Sequence, residues 1–216
     1  DDPPERDLAM EALVEVLEGK RVVHHHTHRH DDIVTVLRLK KEFGFKVVLH
    51  HVSEAWKVAD EIAEAGVACS IIYLDSPGGK LEALDLEWKN GAELEKRGVL
   101  TAFHTDDPIN DSRWFLRSAG LAVRSGMSRQ KALEAVTIAG AEMMDQADQT
   151  GSLTVGKKAD FVILNGDPLS VYTRVLETHV EGRKVFDLDD PKDRLWAEGG
   201  FGAGHRRRAS GCCFTK

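Results

Sequence analysis

The chain has 216 residues, 42% of them hydrophobic and 30% charged, enough for one buried core plus a small annex. That balance excludes a disordered chain or a mini-protein needing staples. The net charge of −7 comes from 29 basic and 36 acidic residues, and the basic ones are scattered apart from one short run near the C-terminus, so neither nucleic acid nor an anionic membrane is an expected partner.

Asp7 to Leu17 places Leu8, Ala12 and Val16 on one stripe and meets Gly19, which predicts an amphipathic helix with a glycine stop. Arg21 to His26 is short and β-branched and reads as a strand. Asp32 to Phe43 has helical spacing and closes at Gly44, and Lys46 to Val52 is a second strand. The alternation repeats with a helix over Glu54 to Ala65, a stop at Gly66, a strand over Val67 to Tyr73 and a glycine-rich loop from Asp75 to Lys80. A helix over Leu84 to Arg97 leads through Gly98 into a fourth strand, Val99 to His104, and the turn Thr105 to Pro108. Four β-then-α units with short loops predict parallel strands covered by helices. Helices over Ser112 to Arg124 and Ser128 to Met144 complete residues 1–148. Residues 149–187 change character: short strands around Gly151 to Leu153, Ala159 to Leu164, Val175 to Val180 and Lys184 to Phe186 predict an antiparallel annex. Residues 188–216 read as a polar, mobile tail.

No stretch reaches the roughly 18 apolar residues of a membrane span. The start, Asp1 to Asp7, has neither the basic nor the apolar part of a signal peptide, so the chain reads as soluble and as beginning mid-protein. Cys69 and the adjacent Cys212 and Cys213 form no disulfide framework, and a cytoplasmic setting is expected. Histidine is the unusual residue: of ten, His24, His25, His26, His28, His30, His50 and His51 fall close together.

His26 ends the first strand, His51 the second, and Asp106 the fourth. In parallel α/β folds functional groups gather beyond the carboxyl ends of strands. A period of two puts Val22, His24, His26 and His28 on one face, Val47, Leu49 and His51 on one, and Leu100, Ala102, His104 and Asp106 on one. Neutral imidazoles with a carboxylate suit zinc or a similar divalent ion with an activated water beside it, and Asp106 would serve as base. His25, His30 and His50 have the wrong parity or lie past the strand, and His24 sits deeper, where packing is the expected role. The Asp75 to Lys80 loop matches no phosphate fingerprint and reads as a pocket lining or a plain turn. Lys80 and Arg113 are candidates for holding a substrate carboxylate, or else surface cations.

The segments His26-Thr27-His28-Arg29-His30-Asp31-Asp32-Ile33, Val48-Leu49-His50-His51, Phe103-His104-Thr105-Asp106-Asp107-Pro108 and Gly151-Ser152-Leu153-Thr154-Val155-Gly156-Lys157-Lys158-Ala159-Asp160-Phe161-Val162-Ile163-Leu164 resemble the metal-dependent hydrolases of the amidohydrolase superfamily. Within it, they look like the imidazolonepropionase-like and Xaa-Pro or Xaa-Arg dipeptidase-like members. The resemblance spans about residues 7 to 187. It implies an α/β fold, the C-terminal half of a (β/α)8 TIM barrel (strands five to eight) followed by part of a small β-sandwich. It implies metal ligands His26, His51 and Asp106, with Asp106 also the proton shuttle and His28 near substrate. It implies zinc, or else manganese or iron, and hydrolysis of an amide C–N bond in a small molecule or dipeptide. The family's first-strand His-x-His pair and its bridging lysine or glutamate have no counterpart here. The chain is therefore expected to associate with the missing N-terminal half or with itself. Two other readings stand beside the enzyme: a truncated, inactive remnant, and a binding protein using the Asp75 to Lys80 loop.

Overall fold

Each short apolar run between helical segments becomes a strand of one parallel sheet. The fold is taken from a computed structural model that describes residues 5–74, 79–107 and 109–199. In chain order the elements are α1 (Leu8–Leu17), β1 (Val22–Thr27), α2 (His30–Phe43), β2 (Lys46–His51), α3 (Ala59–Glu64), β3 (Ala68–Ile71), α4 (Asn90–Lys96), β4 (Thr101–Phe103), α5 (Phe115–Arg124), α6 (Arg129–Ala135), α7 (Ile138–Met143), β5 (Phe161–Leu164), β6 (Val175–Val180), β7 (Arg183–Asp187) and α8 (Pro191–Glu198). Single 3-10 turns at Ala55–Lys57, Leu81–Ala83 and Ser112–Trp114 lead into α3, α4 and α5. The first sheet runs β1-β2-β3-β4, all parallel, and the second runs β5-β6-β7, antiparallel.

α2 shows why these residues make these elements. Ile33, Val36 and Leu37 are its buried stripe, Asp31 and Asp32 sit in its first turn and Lys40 and Lys41 in its last, complementing the helix dipole. Gly44, at φ 74°, lets the chain leave the helix while its N–H donates to Lys40 O at 2.8 Å. The buried stripe packs on the sheet rows Val23 and Val47, Leu49 and Cys69, and Ile71 and Phe103, together with Ile62 of α3, Leu94 of α4, Ala122 of α5 and Ala135 of α6. The other face of the sheet has a smaller apolar cluster at its lower end, where Val48 and Ala102 meet Ala139 and Met143 of α7. Toward the upper end this face carries His24, beside Val48, and then a row of His26, His50, Ser70 and Ala102.

The structure departs from the sequence reading in several places. The stretch 128–144 is two helices, divided at Thr137, whose φ of −138° and ψ of −102° leave the helical region. Gly151 to Leu153 forms no strand. Within the expected polar tail, Pro191–Glu198 is a helix, α8: Asp190 caps it by accepting from Lys192 N, and Pro191 supplies the fixed φ of a first helical turn. The rest of the expected tail, residues 200–216, lies outside the described residues, as do Asp75 to Gly78 of the glycine-rich loop and Pro108 of the turn after β4. Among the described residues no helix is long and apolar enough to cross a membrane.

Gly151 closes the passage from α7 toward the annex. Its φ is +84°, and a Cβ there would lie 2.8 Å from Ala141 Cβ and 3.0 Å from Ile138 Cα, both on α7. Gly151→Ala should therefore destabilise the chain by about 1–3 kcal/mol through overpacking and a left-handed backbone. Gly140→Ala, inside α7 with nothing within 4 Å of the added carbon, should instead be neutral or stabilising by up to about 1 kcal/mol. Denaturant unfolding of the two variants checks the contrast. Burial of Cys69 pushes its thiol up to about 12, so alkylation of the folded chain should leave the Cys69 peptide unmodified by mass spectrometry.

Candidate metal centre

The upper ends of β1, β2 and β4 converge on one set of imidazoles. One ring nitrogen from each of His26, His28 and His51 lies within 4.8 Å of the other two, and among the described residues this is the one group of three or more metal-binding side chains so arranged. His28 and His51 are buried and His26 is half exposed.

His51 reaches this group by breaking the alternation of its strand. Its register partners Thr27 and Ile71 lie on rows that face the helices, as do Val47 and Leu49. The backbone then turns left-handed, with φ 65° at His51 and 39° at Val52, a conformation costly for a β-branched residue and kept only where the surroundings enforce it. Those surroundings are explicit: Val52 N–H donates to Thr27 O and His50 O, both at 2.8 Å, and buried Asn90 Nδ2 donates to Val52 O at 2.8 Å. The His51 ring is thereby carried to 4.5 Å from His26, 4.9 Å from His28 and 4.8 Å from His104, centroid to centroid.

Parity had set His50 aside, and the structure corrects this. His50 is on the same sheet face as His24 and His26, with its Nε2 2.8 Å from His24 Nδ1 and its ring 5.3 Å from that of His104. His24 is likewise exposed on this face, not packed in a core.

The imidazoles are held by hydroxyl groups. His28 Nδ1 lies 2.7 Å from Ser53 Oγ, which is fully buried; His104 Nδ1 lies 2.8 Å from Ser70 Oγ, and His104 Nε2 lies 2.9 Å from His51 Nδ1. Burial lowers His28 to about 4, aided by the Lys80 ammonium; it lowers His50 to about 4, His104 to about 3 and His51 to about 2, aided by neighbouring imidazoles. These four are uncharged at neutral pH, the form that ligates a metal.

The donor set fits a divalent ion on a second observation. Lys80 Nζ sits 3.1 Å from His28 Nε2 and 3.4 Å from His26 Nε2. An ammonium has only protons to offer, so His28 Nε2 presents its lone pair to a positive charge already in place. Glu82 Oε1 lies 2.6 Å from Lys80 Nζ, 3.5 Å from His26 Nε2 and 4.0 Å from His28 Nε2, and the Lys80 contact holds its carboxyl below the usual range.

The remaining sequence candidates fall elsewhere. Asp106 is exposed at φ 52°, past the end of β4, and is outside the imidazole group. Arg113 is committed to Asp111, with Nε 2.9 Å from both carboxylate oxygens, and its Nη1 reaches Trp196 O of α8 at 3.4 Å; it lies with α8 and makes no contact with the imidazoles. His28, expected near substrate, is one of the three imidazoles brought together. His104, Ser53, Ser70 and Glu82 were passed over. Only His104 carried a signal, its shared parity with Asp106.

The family model described as "Amidohydrolase family" matches residues 6–186. The chain is 25% identical over 185 residues to amidohydrolase tasK of Hapsidospora irregularis, covering 84% of this chain and 19% of that protein. It is 32% identical over 111 residues to imidazolonepropionase of Bacteroides thetaiotaomicron, covering 49% of this chain and 25% of that one. The solved structure of an amidohydrolase from Thermotoga maritima superposes with a TM-score of 0.81 at 34% identity, covering 87% of this chain and 49% of the other. The chain thus spans at most about half the length of these relatives. With residues 6–186 matched by that family model, the chain belongs to the amidohydrolase family.

Proposed function

We propose that this chain carries part of the active site of a metal-dependent hydrolase that cleaves an amide C–N bond in a small molecule or dipeptide. The observation that carries the reading is the group His26, His28 and His51, with the Lys80 cation held against two of its nitrogens. A divalent ion, zinc before manganese or iron by the all-nitrogen donor set, would polarise a carbonyl and acidify a water when bound there.

The residues' own tasks follow from where they stand. His26, His28 and His51 would hold the ion. Ser53, accepting from His28, keeps its Nε2 lone pair turned toward Lys80. Lys80 would yield its place as the ion enters and is then free to pair with a substrate carboxylate. Asp106 is the proposed proton acceptor; its left-handed backbone at the end of β4 is the kind of strain found at functional sites. Glu82, 3.5 Å from His26 Nε2, is the rival carboxylate. Arg113, paired with Asp111, is better placed to anchor α8 than to bind substrate.

The same reading makes β1 to β4 the fifth to eighth strands of a (β/α)8 barrel and β5 to β7 part of a β-sandwich. In the four-stranded sheet β1 and β4 each have a single hydrogen-bonded neighbour, and Leu8, Leu13 and Leu17 of α1 are more than half exposed. Unpaired edges and an apolar helix face favour association, with a complementary half barrel or a second copy.

Zinc analysis after dialysis should find about one equivalent per chain, and His28→Ala or His51→Ala should remove it. Less than about a tenth of an equivalent in the unsubstituted chain would instead favour a remnant without turnover. In the complete protein Asp106→Asn should lower kcat by about 100- to 10,000-fold, and Glu82→Gln by much less; the reverse order would transfer the base to Glu82. Size-exclusion chromatography with intact mass should show an associated state, and a stable monomer would count against the half-barrel assignment.

A further inference from the structure

We infer that His104, held by Ser70, is a positioning residue that fixes the tautomer of His51 with its proton on Nδ1 and its Nε2 lone pair free. The inference rests on the metal-centre reading of His51 and deepens it.

The argument begins with a row of three side chains: Ser70 Oγ to His104 Nδ1 at 2.8 Å, and His104 Nε2 to His51 Nδ1 at 2.9 Å. Each separation is a hydrogen bond, so one atom of each pair donates and the other accepts. Only two arrangements are consistent. In the first, Ser70 donates to His104 Nδ1, His104 Nε2–H donates to His51 Nδ1, and His51 must carry its proton on Nε2. In the second, His51 Nδ1–H donates to His104 Nε2, His104 Nδ1–H donates to Ser70 Oγ, and His51 Nε2 carries a lone pair.

The neighbouring imidazoles select the second. His28 places Nδ1 on a serine hydroxyl and Nε2 on a cation, so it is protonated on Nδ1. His51 is ring-stacked on His28 at an interplanar angle of 12°. With Nδ1 protonated, His51 keeps a bare Nε2, as His28 does. His104 is fixed for this role because its own N–H donates to Ile71 O at 3.1 Å and its ring is packed against both His50 and His51. Imidazole thus occupies the place where a carboxylate or backbone carbonyl commonly orients a metal-binding histidine.

The test needs no metal. Long-range proton–nitrogen correlation spectra of the 15N-histidine-labelled chain at neutral pH report which nitrogen of each ring is protonated, with the His51 signals assigned by their loss in His51→Ala. In the unsubstituted chain His51 should show a protonated Nδ1 and a bare Nε2. His104→Phe removes the acceptor and should give His51 a mixture of tautomers or the Nε2–H form. Ser70→Ala, a smaller change that guards against misfolding of the first variant, should shift the populations in the same direction. His104→Gln, whose amide oxygen can still accept from Nδ1–H, should restore them. A His51 protonated on Nε2 in the unsubstituted chain, or a tautomer unchanged in both His104→Phe and Ser70→Ala, would overturn the inference. Cobalt titration provides a separate readout. Nitrogen-ligated cobalt bound by the unsubstituted chain and held about 10- to 100-fold more weakly by His104→Phe would support it. If the unsubstituted chain binds no cobalt, the metal-centre reading fails, and the tautomer spectra still decide the role of His104.

Discussion

At the end of β2 the backbone turns left-handed for two consecutive residues, His51 and Val52, and the site hangs on that turn. Had the strand kept its pleat, the His51 ring would have followed Val47 and Leu49 into the layer occupied by Ile33 and Ile62, where an imidazole loses its hydration and gains no partner. The turn is enforced by Val52 N–H bonding back to Thr27 O and by Asn90 clamping Val52 O. The cost of two unfavourable backbone conformations is thus carried by buried hydrogen bonds from β1 and α4. The outcome is a side chain that begins on one face of the sheet and works on the other.

That geometry separates two solvents within one sheet. One face is covered by α2 to α6 and reads as a continuous apolar layer, with Leu49, Ile62 and Leu94 fully buried. The other is covered only at its lower end, by α7, and its upper rows collect His24, His26, His50 and His104. Clustering so many imidazoles would be self-defeating if they were charged. Burial and nearby positive charge both favour the neutral form of His28, His50, His51 and His104.

Much of this was legible in the residues. The alternation of β-branched runs with helix-spaced segments gave the parallel sheet, and the stops at Gly19, Gly44, Gly66 and Gly98 are all left-handed in the structure, at φ 73°, 74°, 60° and 70°. That His26 and His51 come together was legible because both end strands. The place of His50 on the same face as His26 was not, because a period of two presumes unbroken pleating, and no local signal announces that Val52, a residue disfavoured at positive φ, will be forced there by Asn90 from a helix 38 positions away. The cap of α8 was visible as Asp190 before Pro191, but the surrounding polarity outweighed it. The partners Ser53 and Ser70 carry no sequence signal, since their hydroxyls matter only once folding brings them to an imidazole.

The choice of serine as that partner has an electrostatic consequence. A carboxylate beside His28 or His51 would stabilise the imidazolium and raise its pKa, setting a proton against an incoming metal for the same ring. A hydroxyl accepts the N–H, fixes the ring and adds no net charge, so nothing in this contact offsets the burial that favours the neutral ring. The negative charge a bound cation would find is Glu82, one step removed from the rings and neutralised by Lys80. Exchange of the Lys80 ammonium for a divalent ion at His28 Nε2 would release Lys80 and Glu82 together, since the two are held to each other at 2.6 Å beside that nitrogen.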